Sequence, residues 1–209
     1  MQRASRRQDL YRTYAVSARH RQPLVAFIVD ALHGLGCRIL FASPPSEAPF
    51  RITFETSDGE RIGIVAYAFH ADRRVTKDSR SGEYRFQATY GPKHTRLREF
   101  WQDPYGLYTT LLLGISPQLG IFVGADPVAH STMSLPPVIK FTDDQVSEIR
   151  RTGWTQWEQE RHEDDDSPVD VLVGGRPESF LRYILFEREA LREDQGHRHL
   201  LAEQFAHVR

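Results

Sequence analysis

Cysteine is almost absent from this chain of 209 residues: Cys37 stands alone. That excludes an internal disulfide framework and any cysteine-cluster metal site. Long apolar runs are missing too, and none approaches the ~20 residues that a membrane-spanning helix needs. The N-terminal stretch MQRASRRQDLYRTY carries the charge of a signal peptide without its apolar segment. These absences lead to the expectation of a cytoplasmic protein with no membrane partner. An excess of either charge sign is also lacking, with 27 Lys+Arg against 28 Asp+Glu, which weighs against a uniformly basic nucleic-acid binder. There is no G-x-S-x-G elbow for a serine nucleophile. The histidines His70, His94, His130 and His162 fall in no metal-ligand spacing, so no metal site and no cofactor are expected.

What is present suits a single globular domain. Apolar residues make up 40% and charged residues 26%, ordinary soluble composition. A chain of this length buries roughly 70% of its unfolded surface. Charge is segregated along it. Residues 1–22 hold six arginines against Asp9, and residues 72–98 hold eight Lys or Arg against three acids. Residues 143–166 reverse the sign with nine acids against three arginines. The organisation read from this pattern is a basic N-terminal arm, 1–21, followed by one α+β domain, 22–209, with an acidic loop near 158–168.

Hydrophobic periodicity predicts a helix over 22–34, stopped by Gly34 and Gly36. Strands are predicted at 37–42, 50–56, 61–70, 83–90, 108–115, 120–126 and 137–141. Turn chemistry separates several, as at Ser57-Asp58-Gly59 and Ser116-Pro117-Gln118. Sequence neighbours are expected to pair antiparallel. A capping-box pattern, Thr142-Asp143-Asp144-Gln145, opens a predicted helix over 143–162. A short strand at 169–173, a helix over 177–192 begun by Pro177, and a short helical tail complete the expectation. The fold expected is therefore a strongly twisted, mainly antiparallel sheet, open or partly closed into a barrel, flanked by about three helices.

The most informative segment for function is Glu83–Tyr90. Tyr84, Phe86, Ala88 and Tyr90 alternate with Glu83, Arg85, Gln87 and Thr89, so one face belongs to a core and the other is polar. The stretches on either side in the chain are basic. If the polar face meets a polyanion, Arg73, Arg74, Lys77, Arg80, Lys93, His94, Arg96 and Arg98 are the candidates for phosphate contact, while Arg85 and Gln87 have the bidentate geometry that reads base edges. The other reading of the same stripe is the solvated outer face of an antiparallel sheet.

A metal-dependent nuclease is the competing enzymatic reading, with Glu55, Asp58 and Glu83 as candidate catalytic acids and magnesium as the cofactor it would require. It lacks an acid-x-Lys pair: Glu83-Tyr84-Arg85 carries Arg where a proton-shuttling Lys would serve. A third reading is a protein-interaction or oligomer-forming subunit whose acidic segment meets a basic surface.

The segments SRSGEYRFQATYG, LYTTLLLGISPQLGIFVGADPVAH and PPVIKFTDDQVSEIRRTGWTQWE together resemble an N-terminal module of bacterial restriction endonuclease-like proteins. There a Glu-Tyr-Arg-x-Gln strand precedes a Leu-Leu-Leu-Gly hairpin that ends in Asp-Pro and a His. The resemblance covers about residues 80–160. It implies a module that reads DNA, sometimes modified DNA, while a separate nuclease domain or subunit cuts. It also places recognition on the Glu83–Gln87 strand. The partners expected are thus DNA, a nuclease subunit or domain, and a second copy of the chain.

Overall fold

The computed structural model describes residues 11, 13–73, 82–89, 100–130, 137–159, 170–192 and 195–207. The expected basic arm lies mostly outside them, as does most of the acidic loop.

Helix α1 (Ala18–Gly34) follows a short strand β1 (Tyr14–Ala15). Strands β2 (Arg38–Ala42), β3 (Glu47–Ala48), β4 (Phe50–Glu55) and β5 (Arg61–His70) come next, then β6 (Asp72–Arg73) and β7 (Glu83–Gln87). A hairpin, β8 (Tyr108–Ser116) and β9 (Ile121–Ala125), leads to β10 (Val138–Thr142), α2 (Asp143–Thr152), β11 (Trp154–Glu158) and β12 (Val171–Gly175). A 3-10 turn, Pro177–Ser179, opens α3 (Phe180–Ala190), and α4 (Gln195–Ala206) closes the chain.

The expected α+β fold is present. Its main sheet has seven strands in the order β11-β12-β9-β8-β5-β4-β2, and it stays open rather than closing toward a barrel. All pairings in it are antiparallel except β5 with β8, which run parallel from Gly63↔Tyr108 to His70↔Ile115. That exception corrects the expectation that sequence neighbours pair. The chain between β5 and β8 instead supplies β6 and β7, which join β10 from beyond the β8–β9 hairpin in a second, three-stranded sheet, β10-β7-β6.

The central strands read as continuous apolar runs because both of their faces are buried. Alternate residues go to different cores. Ile62, Ile64, Ala66 and Ala68 pack with α1, α3 and α4 on one side, while Val65, Tyr67 and Phe69 pack with Tyr84, Phe86, Ile139 and Phe141 on the other. The result is three layers: helices, the seven-stranded sheet, and the small sheet with α2. Gly114 sits at a layer contact where a Cβ would lie 2.1 Å from the Phe86 ring, and Gly124 where it would lie 2.0 Å from the Tyr183 hydroxyl. Each glycine gives up a side chain so that an aromatic ring can lie against the strand.

Among the described residues four helices form where about three were expected, and one is much shorter than predicted. The 143–162 helix stops at Thr152, because Gly153 takes a left-handed φ of 80° and the chain turns back as β11 beside β12. Trp154 and Trp157, both inside the stretch predicted as helix, therefore lie on opposite faces of a strand, Trp154 in the helix-side core and Trp157 against the other. Helix α1 starts four residues before the predicted boundary and takes in Arg21, whose guanidinium lies over the Phe69 ring and donates to the Ala68 carbonyl.

The α2 capping box is complete. Thr142 Oγ1 accepts from the Gln145 amide at 3.4 Å, and Gln145 Oε1 accepts from the Thr142 amide at 2.7 Å. Thr142→Ala is expected to lower folding stability by about 1 kcal/mol, and Thr142→Ser by much less. Urea titration of both variants measures the difference, and equal loss would show that the hydroxyl is not the cause.

Candidate functional site

Strand β7 is held on both sides. It pairs antiparallel with β10, so that Arg85 faces Lys140, and with β6, so that Arg85 also faces Asp72. Residues directly opposite on paired strands share a sheet face. Arg85, Lys140, Glu83 and Gln87 therefore lie on the outer face of the small sheet, while Tyr84 and Phe86 are buried beneath it, Tyr84 stacked on Phe141 at 5.4 Å. Within this face the Lys140 ammonium lies 3.6 Å from Glu83. The side chains of Arg85 and Gln87 make no hydrogen bond or ion pair among the described residues.

Arg73 is not part of that face. It is the register partner of Tyr84, lies over the Tyr84 ring at 5.8 Å, and bonds Asp143 at the start of α2 at 3.0 Å. Arg74, Lys77, Arg80, Lys93, His94, Arg96 and Arg98, like Tyr90, fall outside the described residues.

The three candidate nuclease acids are not brought together. Glu55 pairs with Arg61 at the beginning of β5, and its carboxylate is bound by Arg38 at 2.8 Å and Arg61 at 3.1 Å. These hydrogen bonds hold its pKa below the usual carboxylate range. Asp58 accepts from the Thr56 hydroxyl in the exposed β4–β5 turn. Glu83 belongs to the sheet packed over the other end of β5, where Phe86 covers Gly114, the partner of Phe69. From Arg61 to Phe69 is about 26 Å along the strand, too far for one ion or one water to be shared. Among the described residues no group of three or more His, Cys, Asp or Glu is placed to hold a metal.

A polar cluster that sequence reasoning passed over lies inside the molecule. Glu187 of α3 is fully buried and receives a two-pronged bond from Arg198 of α4, at 3.0 and 2.6 Å. The Arg198 Nε lies 3.9 Å from Asp126 at the end of β9. Asp126 in turn accepts from the Val128 amide at 2.8 Å, and Asp170 binds His130 Nε2 at 2.6 Å. Burial acts to lower the Arg198 pKa, but the carboxylates of Glu187 and Asp126 outweigh it and raise it. Burial likewise pushes the Tyr183 phenol, beside Glu187, well above its usual range. With Asp126, His130, Asp170, Glu187 and Arg198 all less than 9% exposed, the cluster clamps α4 and the 126–130 turn to the sheet and presents nothing to a substrate. Asp126-Pro127 and His130 were visible as a motif. Glu187 and Arg198 had no local signal, since each reads as one more charge on a helix.

Neither a curated protein nor a solved structure matches the chain. One family does, under the description Methylase-associated X1, over residues 62–184. The match runs from β5 into α3 and takes in both sheets' central strands, the Arg85 face, Asp126, His130 and Asp170, but leaves out α1, α4 and the Glu187–Arg198 pair. With more than half of its length matched, the chain belongs to the Methylase-associated X1 family, a domain type associated with restriction–modification.

Proposed function

We propose that the chain is a DNA-reading module of a bacterial restriction–modification system, and that the outer face of β7 is its reading surface. The observation that carries this is the pair Arg85 and Gln87: two side chains with bidentate donor and acceptor geometry, on a strand fixed by neighbours on both sides, and unengaged among the described residues. Arg suits guanine and Gln suits adenine in the major groove, and pairing on both sides fixes the backbone from which the two side chains reach. The basic stretches that flank β7 in the sequence supply the candidates for phosphate contact, which adds affinity without sequence information. Membership of a methylase-associated family supports a role in telling modified from unmodified DNA, and cutting is assigned to a separate nuclease domain or subunit.

The test is fluorescence anisotropy of the chain on unmodified and methylated duplexes at two salt concentrations. Arg85→Glu is expected to remove most of the preference between duplexes, a change of about tenfold to a hundredfold. Arg96→Ala is expected to weaken all duplexes alike and to flatten the salt slope by about one. If both variants lose all sequences equally, base reading by Arg85 is wrong. If the wild-type chain binds no duplex at low salt, DNA is not its partner.

A further inference from the structure

The small sheet narrows along β7. Its third strand, β6, reaches only Arg85 and Tyr84, so at Gln87 the sheet is, among the described residues, the two-stranded ribbon of β7 and β10. Val138 is the register partner of Gln87, and partners directly opposite share a sheet face. Gln87 is exposed and Val138 half-buried on the outer face, while their neighbours Phe86 and Ile139 are buried beneath. The backbone is held beyond the ladder as well. The Ala88 amide donates to the Pro137 carbonyl at 3.0 Å, and the Thr89 amide to the Gln87 carbonyl at 2.9 Å.

A two-stranded ribbon is an element that the major groove, about 12 Å wide, admits. An A·T pair presents there the N7 acceptor and the N6 amino donor of adenine, with the methyl group of thymine beside them. Gln87 carries an acceptor, Oε1, for the amino group and a donor, Nε2, for N7. Val138 next to it offers apolar surface to the methyl. A G·C pair fits neither residue, because guanine has the O6 acceptor where adenine has the amino group and cytosine has no methyl. Of the polar side chains that β7 turns outward, Glu83 is taken by Lys140 at 3.6 Å, which leaves Arg85 and Gln87 free among the described residues. Alternate residues of a strand lie about 6.8 Å apart, and the bases of one DNA strand step by about 3.4 Å. With the ribbon laid along the groove, Arg85 and Gln87 therefore meet base pairs two steps apart.

The same geometry decides which modification is sensed. In a Watson–Crick pair adenine gives one amino hydrogen to thymine and turns the other into the groove beside N7. An N6-methyl group on a paired adenine takes that second place, where Gln87 Oε1 would accept. Resting on the reading of DNA by β7, we infer that Gln87 and Val138 read an A·T pair two steps from the guanine taken by Arg85, and reject it when the adenine carries an N6-methyl group. The ligand of this face is then duplex DNA whose target adenine is unmethylated.

Selection by the full chain from a duplex library with a randomised centre, followed by fluorescence anisotropy on the enriched duplex, tests this. The wild type is expected to enrich adenine two positions from guanine on one strand. An N6-methyl group on that adenine is expected to weaken binding about tenfold to a hundredfold, whereas 5-methylcytosine outside the two pairs should leave it unchanged. In Gln87→Ala, whose folding urea titration checks, the adenine preference and the methyl penalty should both disappear while the guanine preference stays. Uracil in place of the paired thymine removes the methyl that Val138 meets, and should weaken the wild type but not Val138→Ser. A methyl penalty as large in Gln87→Ala as in the wild type, or an enriched guanine without that adenine, overturns the inference and leaves DNA reading by Arg85 standing. If the wild type binds no duplex at low salt, the reading by β7 and this inference fall together.

Discussion

Arg198→Leu is expected to destabilise the fold by about 3–5 kcal/mol, the range for breaking a buried ion pair by removing one partner. Total stability of a domain is about 5–15 kcal/mol, so this one change approaches unfolding. The cause lies in what remains. Glu187, fully buried, would keep a carboxylate with its two-pronged donor gone, and Asp126 would lose its nearest cation. The ring of Phe186, over which the guanidinium lies at 4.8 Å, would lose packing as well. Replacing both partners, Glu187→Leu with Arg198→Leu, removes the stranded charge and is expected to cost less than Arg198→Leu alone.

The pH dependence of the single variant has a definite sign. Burial raises the Glu187 pKa above its ordinary value, and without Arg198 that burial is uncompensated. A carboxyl whose folded pKa lies above the unfolded one favours folding below the unfolded pKa, and the benefit is lost as pH rises through the folded pKa. Arg198→Leu should therefore lose more stability at pH 8 than at pH 5. Urea titration of wild type, both single variants and the double at these two pH values measures it. Single-variant losses under about 1 kcal/mol, or a double variant worse than Arg198→Leu, would mean that the pair is not the clamp on α4.

Phe86→Ala is expected to cost about 3–5 kcal/mol, the range for truncating a fully packed aromatic. Phe86 is 1% exposed and fills the space that the missing side chain of Gly114 leaves on β8. It is the contact that seats the small sheet on the large one. Gly114→Val should be destabilising on its own, by about 1–3 kcal/mol, because the added methyls would meet the Phe86 ring. In Phe86→Ala with Gly114→Val each change relieves the other, so the double variant should be more stable than the sum of the singles implies. Strict additivity would show that the two positions do not share a space. Since Arg85 and Gln87 stand on the strand that Phe86 anchors, Phe86→Ala should also weaken any base preference, whereas Thr142→Ala should leave it alone.

Much of this architecture was legible in the chain. Strict alternation in Glu83–Gln87 told core face from polar face, and Tyr84 is buried as that pattern required. The Thr142 to Gln145 box marked the start of α2, and turn residues marked the hairpins β4–β5 and β8–β9. The end of α2 was misread because Val146, Ile149, Trp154 and Trp157 continue a helical spacing across Gly153, and only the pairing of β11 with β12 makes the stretch extended. The nuclease acids were grouped by residue type along the chain, and the parallel β5–β8 pairing put them at different ends of a long strand.

The sequence by itself determined the α+β class, the single cysteine's exclusion of disulfides, and the polar stripe on β7, because these depend on composition and on side-chain period within one element. Only the tertiary structure decided that β7 leaves the main sheet to pair with β10, that Gly114 and Gly124 make room for rings from other layers, and that Glu187 meets Arg198 inside the protein. Each of these is a contact between residues far apart in the chain, and such contacts are chosen by which faces bury together, which no local pattern encodes.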